Sequence, residues 1–125
     1  MTVYDDAGRP TPTEIRYKSA EKLLEIDFDN GRQQSLPAEF LRVESPSAEV
    51  KGHGPSERVT VPGCRNVSIS AIEPVGNYAV RLRFDDGHDT GIFSWAYLYE
   101  IGENQSEIWQ TYLDNLAAKG LSRDR

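Results

Sequence analysis

The chain has 125 residues, of which 38% are hydrophobic and 27% charged, which fits one globular domain. Its formal net charge of −6 argues against nucleic acid as a partner, because duplex binding relies on Lys and Arg to neutralise phosphates. A membrane partner is disfavoured by the same charge and by the lack of a long apolar run. A single cysteine excludes an internal disulfide, and the N-terminus resembles no secretory signal, so we expect a cytoplasmic protein.

The limits of the folded domain are predicted from where the regular patterns begin and end. Residues 1–12 mix Asp, Gly, Pro and Thr without periodicity and predict a flexible N-terminus. The domain is expected over residues 13–120, and the polar residues 121–125 are expected to be frayed. Residues 44–63 predict a loop that is longer than usual in compact domains, and loops of this kind are often functional.

The first half of the domain predicts strands, a hairpin and a short helix. A strand-like segment covers 14–17, and Leu24, Ile26 and Phe28 then alternate with acidic residues, which places the three on one face of a strand. The sequence 29–31, Asp-Asn-Gly, predicts a tight turn into a returning strand at 33–36. Pro37 fits the first turn of a helix that continues through Leu41.

The second half predicts a three-strand meander followed by two helices. The apolar members of its strands are Val67, Ile69, Ala71, Tyr78, Val80, Leu82, Phe84, Ile92 and Phe93. Turns are predicted at 74–77 and 85–89. Ser94 can cap a helix that begins at Trp95, and a final helix is predicted over 106–119 with Gly120 as its stop. We therefore expect a small single α+β domain: a twisted, mainly antiparallel sheet with hairpins and two or three helices, including one at the C-terminus.

Three residues are of the types that most often bind metals or react as nucleophiles: His53, Cys64 and His88. No two of them have a recognised metal-ligand spacing, so we expect no metal and no cofactor. The acidic turn with Asp85, Asp86 and Asp89 offers oxygen ligands for a hard cation, but it lacks the EF-hand pattern and is better interpreted as a solvated hairpin turn.

Motifs for catalysis are also missing from the sequence. It contains no Gly-x-Ser-x-Gly elbow, no Walker-type phosphate loop and no Gly-x-Gly-x-x-Gly dinucleotide motif. We therefore expect a protein that is not an enzyme. If it has an unfamiliar catalytic site, Tyr78, His88 and Asp89 are the residues to test.

Several unusual strings occur in an order that resembles a known bacterial family. They are Leu36-Pro37, Phe40-Leu41-Arg42, 45–50 (Ser-Pro-Ser-Ala-Glu-Val), Gly52-His53-Gly54, 74–80 (Pro-Val-Gly-Asn-Tyr-Ala-Val) and 84–95 (Phe-Asp-Asp-Gly-His-Asp-Thr-Gly-Ile-Phe-Ser-Trp). In these strings the chain resembles the family once called DUF971, which is similar to the N-terminal domain of gamma-butyrobetaine hydroxylase. The resemblance spans about residues 13–102 and implies the fold of that domain.

The same resemblance implies that a zinc site has been lost. In the hydroxylase, three cysteines and a downstream histidine hold zinc in this domain. Ser45, Ser47 and Val50 align with the cysteines and His88 with the histidine. Neutral hydroxyls are poor zinc ligands and valine is none, so the resemblance carries the fold over without the metal, and Cys64 lies too far along the sequence to replace a lost ligand. The oxygenase chemistry of the hydroxylase belongs to a separate domain and is not implied here.

We interpret the sequence as a non-enzymatic module that binds a protein partner. The candidate surface consists of Gly52, His53, Gly54, Asn77, Tyr78, Asp86, His88 and Asp89, on a loop and two turns expected to lie near one edge. The alternative is a metal-binding or iron-sulfur-assembly accessory protein that uses His88 with His53 or Cys64, by analogy with related domains on iron-sulfur carrier proteins.

Overall fold

A computed structural model describes residues 10–46 and 59–124. These ranges contain six strands and three helices, which confirms a small α+β domain with a C-terminal helix. In chain order they are β1 (Pro12–Lys18), β2 (Leu23–Phe28), β3 (Gln33–Pro37), α1 (Ala38–Val43), β4 (Ile69–Val75), β5 (Ala79–Phe84), β6 (Gly91–Ser94), α2 (Trp95–Glu103) and α3 (Gln105–Ala118). Within these ranges no helix is both long and apolar enough to span a bilayer.

The strands form two antiparallel three-stranded sheets, with orders β1-β2-β3 and β4-β5-β6, where the sequence predicted one sheet. β3, an edge strand of the first sheet, packs against α1 and α2 and pairs with no strand of the second sheet. A hydrogen bond from the backbone N–H of Ile69 to the hydroxyl of Tyr17, at 3.0 Å, links the second sheet to β1.

The first sheet has the predicted alternation and turn. Leu24, Ile26 and Phe28 are all buried, and Leu24 lies opposite Leu36 in β3. The turn between β2 and β3 places Gly31 at φ +86°, a backbone conformation that favours glycine. The amide oxygen of Asn30 accepts a hydrogen bond from the Arg32 N–H at 3.0 Å, which holds the same turn.

The second sheet is the predicted meander. Val80, Leu82 and Phe84 of β5 face the core, while Arg81 and Arg83 lie on the outer face and bond the carboxylate of Glu73 at 3.0 and 2.9 Å. This alternation is typical of an antiparallel sheet with one wet side. One core lies between the elements, and its fully buried large side chains are Leu24, Ile26, Leu36, Phe40, Leu41, Leu82, Phe93 and Leu98.

The start of α2 and both ends of α3 lie within a residue of the prediction, whereas α1 continues two residues beyond the predicted Leu41, to Val43. The Ser94 hydroxyl accepts a hydrogen bond from the Tyr97 N–H at 3.0 Å and so caps α2. Helix α3 ends before Gly120, whose φ of +66° allows the chain to reverse. Tyr112 and Leu116 of α3 are buried in the core, as their spacing predicts.

The predictions made for the two ends of the chain have different outcomes. Residues 1–9 of the predicted flexible N-terminus and residue 125 lie outside the described residues, and β1 already begins at Pro12. Residues 122–124 were expected to be frayed, but the carbonyl oxygens of Ser122 and Arg123 accept hydrogen bonds from the N–H groups of Gly63 and Arg65, at 2.9 and 3.1 Å. Side-chain ion pairs explain the difference, because Arg123 and Asp124 each meet a residue of opposite charge across the chain.

Candidate functional site

The most chemically specific contact in the domain joins Ser45 to His88. Ser45 follows α1 and is fully buried, and its Oγ lies 3.0 Å from Nε2 of His88, which is 8% exposed in the β5–β6 turn. The backbone N–H of Ser45 also donates to the carbonyl of Arg42 at 3.4 Å. A hydroxyl and an imidazole are thus brought together from distant parts of the sequence, in an interior position that solvent barely reaches.

The Asp86 carboxylate holds the turn that carries His88. It accepts hydrogen bonds from the His88 backbone N–H at 3.1 Å and from Nε of Arg42 at 2.8 Å. Burial by itself would raise the pKa of Asp86, but these hydrogen bonds and the Arg42 charge outweigh it and lower the pKa below its ordinary value. Asp86 is therefore a carboxylate that fixes the position of α1 relative to the turn.

The zinc site implied by the resemblance can be tested at two of its four positions. Ser45 and His88 do come together, as two ligands of one ion would, while Ser47 and Val50 lie outside the described residues. The two present groups do not fit zinc, because a neutral hydroxyl is a poor ligand and its oxygen is already hydrogen-bonded to the imidazole nitrogen that would bind the ion. Geometry and ligand chemistry favour a Ser–His hydrogen bond in place of a coordinated metal.

Cys64, which the alternative interpretation pairs with His88 in a metal site, is a free and buried cysteine. Its buried thiol lies 3.5 Å from the carbonyl oxygen of Pro62, and His53 lies outside the described residues. Over 10–46 and 59–124, no three His, Cys, Asp or Glu side chains converge in a group that could hold a metal ion.

The other acidic residues of the β5–β6 turn have structural partners. The Asp85 carboxylate accepts from the Ser68 N–H at 3.0 Å, and Asp89 forms an ion pair with Arg83 at 3.0 Å. Each carboxylate therefore serves a different local contact. This arrangement matches the solvated hairpin turn that the sequence favoured over a cation site.

The Asn77–Tyr78 turn lies away from the Asp86–Asp89 turn. The first precedes β5 and the second follows it, so the six residues of Ala79–Phe84 separate them by roughly 20 Å. The expectation of one edge shared by both turns is therefore not met. The third part of the predicted surface, Gly52, His53 and Gly54, lies outside the described residues.

Tyr78 is the most exposed large hydrophobic side chain among the described residues, at 55%. Its turn is held by Trp95, whose backbone N–H donates to the Tyr78 carbonyl and whose indole Nε1 donates to the Asn77 carbonyl, both at 2.9 Å. Gly76 packs beneath the ring, since a Cβ at this position would lie 3.0 Å from the Tyr78 ring carbons. An aromatic side chain is thus presented to solvent on a well-supported turn.

Arg42 is the member of the Ser45–His88 cluster that sequence reasoning missed. It lies on α1, far along the chain from the turn it supports, and its guanidinium meets Asp86 only in the folded domain. The signal available was its place in the Phe40-Leu41-Arg42 string, which carried the resemblance but implied no role for the arginine.

These features define a small α+β domain with a buried Ser–His contact beside a hairpin turn. The sequence model of the gamma-butyrobetaine hydroxylase-like N-terminal family matches residues 15–99, and the chain belongs to this family. No curated protein matches the chain.

Three solved structures are similar to this chain, and one of them is a member of the DUF971 family. Two are NMR solution structures, 52% and 47% identical to this chain, with TM-scores of 0.81 and 0.79. The first match covers 98% of this chain and 90% of the other, and the second covers 92% and 90%. The third is a crystal structure of a DUF971-family protein of unknown function from Acidithiobacillus ferrooxidans ATCC 23270. It is 40% identical, with a TM-score of 0.63, and the match covers 74% of this chain and 92% of the other.

Proposed function

We propose that this chain is a non-enzymatic cytoplasmic module that binds an extended segment of a protein partner along β6. The observation that carries the proposal is the outer edge of β6, which pairs with no strand among the described residues and lies beside two exposed apolar side chains, Ile92 at 46% and Tyr78 at 55%. We call Tyr78, Ile92 and the outward backbone groups of Ile92 the β6 surface. Strand addition of this kind takes affinity from main-chain hydrogen bonds and specificity from side chains.

The hydrogen-bond pattern shows which backbone groups of β6 face outward. Trp95 donates to the Tyr78 carbonyl, so the alternation of an antiparallel ladder makes Val80–Phe93 a bonded pair and Arg81–Ile92 a non-bonded one. The N–H and C=O of Ile92 therefore point away from β5. Among the described residues, none supplies a hydrogen bond to them across that edge.

The opposite edge of the same sheet, formed by β4, is less suited to pairing with another strand. Pro74 lies in β4 opposite Val80 and has no N–H to offer a pairing strand. Natural sheets use such residues to prevent unwanted edge pairing. With Pro74 on one side, the β6 edge is the one suited to receive a partner strand.

Tyr78 supplies a preorganised anchor at the end of this edge. Its turn is fixed by the two hydrogen bonds from Trp95, so binding would not require ordering the backbone first. Tyrosine is among the residues that contribute most to binding energy in protein interfaces. The Ser45–His88 contact, in contrast, is buried, and we assign it a supporting role, in place of the zinc site that the resemblance to the hydroxylase implies.

The test compares the proteins retained by four tagged baits from a lysate of the source cells. The baits are the unaltered chain, Ile92→Pro, Tyr78→Ser and the control Arg16→Ser, which alters the outer face of the first sheet. Ile92→Pro removes the outward N–H and tests strand addition directly. Each retained protein is then purified, and its affinity for all four baits is measured by calorimetry.

The proposal expects one partner whose affinity falls at least about tenfold with Ile92→Pro and with Tyr78→Ser and is unchanged by Arg16→Ser. Circular dichroism and thermal unfolding must show that all four baits are folded. A partner that binds the four equally would overturn the β6 surface as the binding site. Turnover of a small-molecule substrate by the purified chain would overturn the non-enzymatic part of the proposal.

A further inference from the structure

The last described residues lie in a groove beside Gly63 and Arg65. The backbone N–H groups of Gly63 and Arg65 donate to the carbonyl oxygens of Ser122 and Arg123, at 2.9 and 3.1 Å. Gly63 has a φ of +75°, which favours glycine and turns the chain at the point where its N–H meets the tail. We call residues 122–124 the tail, and the surface that receives it the tail groove.

The centre of the tail groove is a pocket for the Arg123 side chain. Its guanidinium makes two hydrogen bonds with the Glu39 carboxylate, Nε to Oε2 at 2.8 Å and Nη2 to Oε1 at 2.7 Å. The guanidinium carbon also lies 5.3 Å from the centroid of the Trp109 ring. Glu39 is buried, so a planar fork, a desolvated carboxylate and an aromatic face meet in one place.

The next residue of the tail is recognised by charge. The Asp124 carboxylate forms a two-point ion pair with Arg65, in which Nη2 lies 3.2 Å from Oδ2. A cleft of about 520 Å³ lies alongside and is bordered by the acidic residues Asp85 and Asp86. The groove therefore accommodates an arginine followed by an acidic residue, and the cleft lies next to these two positions.

We infer that the tail groove is a recognition site for an extended protein segment with an arginine followed by Asp or Glu, and that the chain's own tail occupies it as a displaceable ligand. The contacts that hold the tail are main-chain hydrogen bonds and charge pairs. Any extended segment with an arginine followed by an acidic residue can form the same contacts. Ser122 and Asp124 are exposed and Arg123 is half-buried, so polar contacts and not apolar burial hold the tail in place. Tethering gives the tail a high effective concentration, so a partner segment must compete with it.

The test uses the full chain with the tail contacts removed, Arg123→Ser with Asp124→Ser, and an acetylated, amidated peptide Leu-Ser-Arg-Asp. Binding is followed by two-dimensional NMR, reading the Trp109 indole N–H and the backbone amides of Gly63 and Arg65. The control peptide Leu-Ser-Ala-Asp lacks the guanidinium. We expect saturable shifts at these three positions with the first peptide, at least about tenfold weaker binding to the unaltered chain, and none with the control peptide.

Two outcomes would overturn the inference. One is a folded tail variant in which the arginine peptide causes no saturable shift at the three positions. The other is equal binding to the variant and the unaltered chain, which would place the peptide elsewhere.

Hydrogen exchange of the unaltered chain provides a second measurement if the variant does not fold. A displaceable tail requires the Gly63 and Arg65 amides to exchange by local opening, faster than the core amides of Val80 and Leu82. Exchange at the same slow rate as these core amides would show that the tail leaves its groove only on global unfolding, and would overturn the inference.

Discussion

Ser45 and His88 are hydrogen-bonded at 3.0 Å although 43 positions separate them in the sequence. The contact joins the end of α1 to the β5–β6 turn. It depends on Gly91, because a Cβ at residue 91 would lie 2.5 Å from the Ser45 Oγ. Ser45, which aligns with a zinc-binding cysteine, thus forms a hydrogen bond with His88, which aligns with the zinc-binding histidine. Gly91 leaves the space that the Ser45 hydroxyl occupies.

We expect Ser45→Ala to lower the free energy of unfolding by about 1–3 kcal/mol, because it leaves a buried imidazole nitrogen without the hydroxyl. Ser70→Ala is the matched control: its hydroxyl donates to the Arg83 carbonyl at 3.2 Å, but in an exposed position. Urea unfolding of the three proteins at neutral pH measures both effects. Equal losses for the two substitutions would contradict a specific role for the buried contact.

The same contact leads to a prediction about metal content. Protein purified without chelator or an affinity-tag metal should carry far less than one zinc per chain, because a neutral serine hydroxyl is a poor zinc ligand. Elemental analysis by mass spectrometry measures this, with His88→Ala as the comparison. One zinc per chain that is lost in His88→Ala would contradict the prediction and favour the metal-binding alternative.

Gly102 and Gln34 provide a test of packing between α2 and β3. A Cβ at residue 102 would lie 2.1 Å from the Gln34 Oε1. Gln34 is buried, and its Nε2 donates to the Tyr99 carbonyl and to the Glu103 carboxylate, both at 3.1 Å, so the amide moves only by breaking these bonds. We expect Gly102→Ala to lower the free energy of unfolding by about 1–3 kcal/mol in thermal or urea unfolding.

A double-mutant cycle separates this clash from a general loss of helix stability. Gln34→Ala removes the obstructing amide, so Gly102→Ala should cost less in that background, and the helix propensity of alanine should then favour it. If Gly102→Ala has the same effect with and without Gln34, the clash is not the cause.

Local patterns in the sequence predicted most of the secondary structure. Leu24, Ile26 and Phe28 alternate as their strand requires, and Ser94 and Gly120 mark helix ends by chemistry that acts within a few residues. Some of the strings that carry the family resemblance lie within regular elements, as Phe40-Leu41-Arg42 does in α1. Strand alternation and helix capping depend on residues that are close together in the sequence, so a single sequence is enough to predict them.

Contacts between distant residues could not be predicted in this way. The Arg42–Asp86 pair and the Arg123–Glu39 pair each join segments whose separation depends on the whole fold. The polar residues 122–124 gave no apolar periodicity and were expected to fray, whereas their charges find partners only once α1 and α3 are packed. The separation of the two turns of the predicted surface was missed for a similar reason, because their distance depends on the length of β5.

Tyr112 makes the stability of the domain sensitive to alkaline pH. Burial raises its pKa to about 12, and its hydroxyl donates to the carbonyl of Val61. The unfolded chain has the ordinary tyrosine pKa of about 10, so between about pH 10 and 12 the unfolded state loses this proton while the folded state keeps it. The stabilisation is complete below about pH 10 and is lost as the pH rises, at about 1.4 kcal/mol per pH unit.

Tyr112→Phe keeps the ring and removes this titration. At neutral pH we expect it to be about 1 kcal/mol less stable than the unaltered chain, because the hydrogen bond to Val61 is lost. As the pH rises above about 10, the difference should shrink and then reverse, because only the unaltered chain has to retain the buried proton. Urea unfolding of both proteins at several pH values from 7 to about 12 measures this. Parallel stability curves would show that Tyr112 titrates alike in the folded and unfolded chains.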